Sequence, residues 1–207
     1  IATGVNGDGH REVLGLRVAT SETGAAWNEF FADLVARGLS GVALVTSDAH
    51  AGLVEAIAAN LPGASWQRCR THYAANLMSI CPKNMWPAVK AMLHSVYDQP
   101  DAPAVHAQFD RLIEYVTAKL PAVAQHLANA REDILAFTAF PKDVWTQIWS
   151  NNPAVILSQL QGVVDVADGL DRSPIVRAGR AYLQPSSRHG RGRFGVRCSS
   201  GGVRLAA

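Results

Sequence analysis

The first seventy residues switch repeatedly between two hydrophobic periods. "IATGV" at 1–5 is a short apolar run, and "NGDG" at 6–9 is a turn in which Asn and Gly accept positive φ. "REVLGLRVAT" then carries Val13, Leu14, Leu16 and Val18 as a second strand. A helical period follows in Ala26, Trp27, Phe30, Phe31, Leu34 and Val35, with Ser21 or Thr23 to cap its start and Gly38 to end it. Residues 42–46 predict the next strand and residues 50–60 the next helix. "LPGA" breaks that helix, and "SWQRCRTH" predicts another short strand. The order ββαβαβ predicts an α/β fold, a mixed sheet covered by helices.

From residue 72 to about 150 the apolar positions recur at three and four, as in Phe109, Leu112, Ile113 and Val116. Four or five helices are predicted there, separated at Pro82, Pro87, Pro100 to Pro103, Pro121 and Pro141, because proline fixes φ and removes a helix donor. No repeat of fixed period is present. "AVILSQLQGVVDVADGL", at 154–170, suits a helix or a strand equally.

Composition adds three points. Charged residues are only 17% of 207, which argues against disorder of the whole chain. No apolar run is long enough to span a membrane, and "IATGVNGDGHREVLGL" lacks the basic start and apolar block of a secretory signal. The sparse, odd set Cys69, Cys81 and Cys198 is no disulfide framework, so a reducing cytoplasm is the expected compartment. A start at Ile1 rather than Met suits a fragment. The net charge of +2 hides a split: residues 1–171 carry 11 Lys and Arg against 17 Asp and Glu, whereas residues 172–207 carry eight Arg and no acid. The Gly-, Ser- and Arg-rich end predicts a disordered tail. It reads either as a nucleic-acid arm, with Arg188, Arg191 and Arg193 as contacts, or as out-of-frame translation of GC-rich DNA.

Few residues are candidates for chemistry. Asp48 ends the strand 42–46, at the sheet rim where α/β folds bind ligands, and directly precedes a helix. It is therefore either a ligand or a plain N-cap. Alone it cannot build a site for a hard cation, which takes two or three converging carboxylates. His50 is either a phosphate contact or an ordinary first-turn residue. Cys69 and His72, in "CRTH", have half of a zinc spacing, and the other half is missing. From spacing alone a half-buried thiol beside a polar histidine at a helix start is the favoured reading, and nothing marks an oxyanion site for a Cys–His nucleophile. Trp145, Ile148 and Trp149 form an apolar stripe at helical spacing. Phosphate-binding Gly-rich loops and Ser nucleophile elbows are absent, which removes the common ATPase, dehydrogenase and hydrolase signatures.

Four segments in register carry a resemblance: "GVNGDGHREVLGL", "W..FF.DLVARGLSGV.LVTSDAHAGL", "WQRCRTHYAANLM" and "FP..VW..IWSNNP". Over roughly residues 1–153 the chain is similar to Mutator-type bacterial insertion-sequence transposases. The resemblance implies a ribonuclease-H-like catalytic domain in which Asp, Asp and Glu hold two divalent ions, Mg²⁺ or Mn²⁺, for attack on DNA phosphodiesters. It also implies an all-helical insertion between the second and third acids. Asp48 matches the second acid, and Cys69 and His72 match the family's C-x-x-H motif. The first Asp would precede Ile1, and Val155 stands where the third acid is expected. The resemblance fades after Pro153; a frameshift near residue 154 would explain that and the Arg/Gly tail, although "DRSPIVR" at 171–177 has some family character.

The implied organisation is a partial core at 1–72, a helical insertion at 73–140, a remnant of the final core helix region at 141–170 and a disordered basic tail at 171–207. The implied parent is a DNA transposase acting on terminal inverted repeats. This chain, with one acid of three, is expected to be inactive, and its further expected partners are another copy or a full-length transposase. Two other readings stand beside it: a non-catalytic DNA-binding or transposase-interacting module, and a small zinc-binding protein built on Cys69 and His72.

Overall fold

The computed structural model describes residues 1–6, 10–19, 21–151, 194–199 and 202–206. Strands β1 (Ala2–Val5) and β2 (Arg11–Gly15) form the expected hairpin, antiparallel with a register shift between Ala2 and Thr3. Helix α1 (Gly24–Ala36) starts on Thr23, whose Oγ1 accepts from Ala26 N at 3.2 Å. It ends at Gly38, φ +103°, where Gly38 N donates to Val35 O and Leu39 N to Leu34 O, the paired bonds of a Schellman cap. β3 (Val42–Ser47), α2 (Ala51–Asn60) and β4 (Ser65–Arg68) complete the predicted alternation, and β4 runs parallel to β3 with Arg68 opposite Ser47.

Consecutive strand residues point to opposite faces, and the core divides accordingly. Val45, with Ala2, packs under α1 and α2 against Phe30, Phe31, Leu34, Leu53 and Ile57. Leu44, with Val5, packs on the opposite face in a larger cluster built from the helices downstream. Those are α3 (Arg70–Ile80), α4 (Trp86–Tyr97), α5 (Ala102–Thr117), α6 (Pro121–Leu135) and the short α7 (Trp145–Ile148), with 3₁₀ turns at Lys83–Met85, Ala136–Ala139 and Lys142–Val144. Pro87, Pro103 and Pro121 each lie in a first helical turn, where the lost N–H has no intrahelical acceptor anyway. In α5, Asp101 caps Ala104 N at 2.8 Å, and Val105, Phe109, Leu112 and Val116 are the buried stripe. Among the described residues no helix is long and apolar enough to cross a membrane.

Two expectations differ from the structure. "SWQRCRTH" is not one strand: β4 ends at Arg68, Tyr73 N already donates to Cys69 O, and His72 lies in the first turn of α3. The buried pair Tyr73 and Leu77, four apart, draws this segment into a helix. The tail is not irregular throughout: β5 (Phe194–Ser199) and β6 (Gly202–Ala206) form an antiparallel hairpin in the gap between β1 and β3. There β5 runs antiparallel to β1 and parallel to β3. Its sequence signal is the alternation of Phe194, Val196 and Cys198, then Val203 and Leu205, around Ser-Ser-Gly-Gly, which the arginine content conceals. The rest of 171–207, with Arg188, Arg191 and Arg193, lies outside the described residues, as do 152–170.

The contact of α1 with α2 depends on two glycines. A Cβ on Gly52 would stand 2.7 Å from Gly24 Cα and 2.8 Å from Gly24 N, both backbone atoms that cannot rotate away. Gly→Ala inside an exposed helix ordinarily stabilises by about 0.5–1 kcal/mol. Here Gly52→Ala is expected to destabilise by about 1–3 kcal/mol through overpacking, read as a lower urea midpoint. A midpoint equal to or above that of the native chain would show that the helices part freely.

Candidate functional site: a carboxylate at the tip of β3

Asp48 directly follows β3, half-buried at the end of the sheet. It is not the helix cap that its position allows. Helix α2 takes His50 as its N-cap residue, and no side chain bonds the helix start. Asp48 Oδ1 is buried without a hydrogen-bond partner among the described residues. The carbonyl beside it is held: Ser47 Oγ donates to Asp48 O at 2.7 Å and accepts from Trp66 Nε1 at 2.8 Å. The backbone at the strand tip is therefore pinned while the carboxylate is left unsatisfied, an arrangement that costs stability unless something binds there.

Cys69 links the neighbouring strand to this tip. It fills the step between β4 and α3, fully buried, and its N–H donates to Ser47 O at 2.7 Å. Its thiol donates to Asn151 Oδ1 at 2.7 Å, while Asn151 Nδ2 is buried without a partner. As a thiolate the sulfur accepts only, and a turn of the Asn151 amide would bring Nδ2 to it. Burial pushes the Cys69 thiol up, but hydrogen bonding to His72 and to the Asn151 backbone outweighs it and holds the group below its ordinary value. Contact with the Cys69 sulfur in turn raises His72; burial opposes the rise, and the negative charges of Cys69 and Asp48 add to it. His72 Nδ1 itself is buried without a hydrogen-bond partner among the described residues.

The pair has a signature in stability. A histidine raised on folding contributes its full stabilisation below pH 6.5, its ordinary value, and loses it as pH climbs through the higher folded value. His72→Gln is expected to lose stability most below pH 6.5 and progressively less above it, by urea denaturation across pH. A deficit that grows with pH contradicts the assignment.

The site thus brings Asp48 near Cys69 and His72 through the parallel pairing of β3 with β4, which sets Ser47 opposite Arg68. His50 is exposed at the start of α2 and makes no capping bond. The residues that sequence reasoning passes over are Arg70, Thr71, Ser150 and Asn151. Arg70 N donates to Trp149 O at 3.0 Å, and its guanidinium lies 4.0 Å from the Trp149 ring centroid and 5.1 Å from that of Tyr97. Thr71 Oγ1 bonds Ser150 Oγ at 2.9 Å. Their only signal in sequence is that "CRTH" and "IWSNNP" both belong to the motif set that runs in register. Trp145 keeps the core role read from its spacing, at 3% exposure.

A complete zinc site does not form around Cys69: among the described residues no group of three or more His, Cys, Asp and Glu is placed to hold a metal. The sulfur is also sealed from any substrate, at 0% exposure.

Comparison with known proteins decides the family. The family model described as "Transposase, Mutator family" matches residues 1–160. The chain belongs to the Mutator family of transposases. It is 62% identical over 185 residues to the transposase for insertion sequence element IS1081 of Mycobacterium tuberculosis, covering 88% of this chain and 45% of that protein. It is 33% identical over 152 residues to the ISRM5 transposase of Rhizobium meliloti, 73% of the chain and 38% of the relative. It is 34% identical over 140 residues to the IS256 transposase in transposon Tn4001 of Staphylococcus aureus, 67% and 36%. The chain thus spans less than half the length of these Mutator transposases. Likeness to the family also runs past Pro153, beyond the point at which the quoted motifs end. The family match reaches residue 160, and an alignment over 88% of the chain must take in all of 154–170.

Proposed function

We propose that this chain is a fragment of an insertion-sequence transposase in which Asp48 is one carboxylate of the divalent-metal site. The observation that carries the reading is the carboxylate itself: it stands at the C-terminal tip of β3, caps no helix, and has a buried oxygen with no partner. That oxygen suits one ligand position of Mg²⁺ or Mn²⁺, hard cations that prefer carboxylate oxygen. A ribonuclease-H-like sheet is supported by the antiparallel β1–β2 hairpin, the parallel β3–β4 pair, and a position between β1 and β3 for a strand antiparallel to one and parallel to the other. The helical block after α3 accords with an insertion between the second and third acids.

Bound divalent metal would supply activation of the attacking oxygen and charge stabilisation at a DNA phosphodiester. The chain's own part is to hold a carboxylate at a fixed rim, through Ser47, Trp66 and the Cys69 amide, against a helical layer that keeps the sheet behind it dry. Asp48 belongs to no group of three or more metal-ligating side chains among the described residues, and the chain is expected to bind metal weakly and to leave DNA uncut. In the intact parent the substrate is the transposon's terminal inverted repeats, handled by more than one copy of the protein. Incubation of the purified chain with inverted-repeat DNA and Mn²⁺ tests this. Uncut DNA is expected, and metal-dependent nicking that survives Asp48→Asn would remove Asp48 from the reaction.

A further inference from the structure

We propose that Cys69 and Thr71 are positioning residues: they clamp Trp149–Asn151 against the tip of β3, so that the chain leaves Asn151 at the rim that bears Asp48. The importance of that rim rests on the reading of Asp48 as a metal ligand; the clamp itself does not. Three stretches far apart in sequence interlock here. The strand tip contributes Thr46, whose Oγ1 donates to Ile148 O, and Ser47, whose carbonyl accepts from Cys69 N. The start of α3 contributes the Arg70 N–H to Trp149 O, Thr71 to Ser150, and the Cys69 sulfur to Asn151. The helical block from α3 to α7 enters and leaves through this knot. Arg70, laid over Trp149, closes it on the outside.

The chemistry of Cys69 fits a clamp and neither of its alternatives. A metal-binding thiolate needs several ligands converging on it, and a nucleophile needs access; among the described residues Cys69 belongs to no group of three or more such ligands, and it is fully buried. A thiol is cheap to bury compared with a hydroxyl, and its large sulfur reaches Asn151 at 2.7 Å while still touching Ser150 Oγ at 3.9 Å. The clamp sets where the returning chain stands at Asn151 relative to the tip of β3. The C-x-x-H segment would then act on the metal site through the returning chain, by fixing where it emerges.

The test uses the full chain labelled with 5-fluorotryptophan. Its five tryptophans give separate ¹⁹F resonances, with Trp149 assigned through Trp149→Phe. Cys69→Ala and Thr71→Ala should each shift or broaden the Trp149 resonance, Cys69→Ser should restore it in part, and the Trp27 and Trp86 signals should hold their places. Thr71 is exposed, so its variant keeps the test valid if Cys69→Ala does not fold. A Trp149 resonance unmoved in both variants overturns the clamp. Because the readout needs neither metal nor DNA, that failure would leave the reading of Asp48 intact, whereas loss of that reading would show only in metal binding.

Discussion

Phe137→Ala should lower the stability of this chain by about 3–5 kcal/mol, out of a total that for a domain is about 5–15 kcal/mol. Phe137 is fully buried in the 3₁₀ turn after α6. Its ring meets Trp145 edge-on at 5.0 Å and Trp149 at 5.5 Å, and lies 6.0 Å from Tyr97. Its N–H donates to Gln67 Oε1 at 2.8 Å, and Gln67 Nε2 donates to Ile134 O at 3.0 Å, so the same turn is bolted to β4. Removing the ring opens a cavity under the two tryptophans that close the helical block and deprives Trp149 of its floor. Tyr115→Ala, at a ring 42% exposed on α5, should cost under about 1 kcal/mol and is the control. Urea denaturation followed by tryptophan fluorescence and circular dichroism measures both. A cost below about 1 kcal/mol for Phe137→Ala would mean that α7 is not anchored as described.

The second large effect falls on binding rather than folding. Asp48→Asn keeps the shape of the side chain and removes its charge. Since Oδ1 has no partner, no hydrogen bond is lost, and stability should change by no more than about 0.5 kcal/mol. Metal affinity should fall by at least about tenfold, because a ligand is removed and loss of a mere supporting partner already costs that much. A residue whose loss hurts binding and spares folding is held for binding. That separates Asp48 from the buried polar groups around it, such as Gln67, whose bonds are spent on the fold.

Much of this fold was legible along the chain. The first six elements follow from the switching hydrophobic period, and the cap at Thr23 and stop at Gly38 follow from local chemistry. The helical block follows from the i, i+3, i+4 stripe of α5 and from prolines that sit in first turns. What was not legible depends on distance. Residues Ser150 and Asn151 pair with a segment some eighty positions earlier, and no local pattern announces such a contact. The β5–β6 hairpin was obscured by composition, since eight arginines read as a solvated arm while the alternating apolar residues beneath them went unweighed. Asp48 was legible as a residue at a strand tip. Only the structure shows that it caps no helix, because the cap and ligand readings predict the same sequence and differ in whether the carboxylate oxygen finds a helix N–H.

The family places this chain among the Mutator transposases, and the central claim about it is that Asp48 is a metal-binding carboxylate. Titration of Mn²⁺ into the purified chain and its Asp48→Asn variant, followed by the electron paramagnetic resonance of free Mn²⁺, tests that claim most directly. Weak binding by the native chain, reduced at least about tenfold in a variant that remains folded, is the predicted result. Identical isotherms for the two proteins would contradict it.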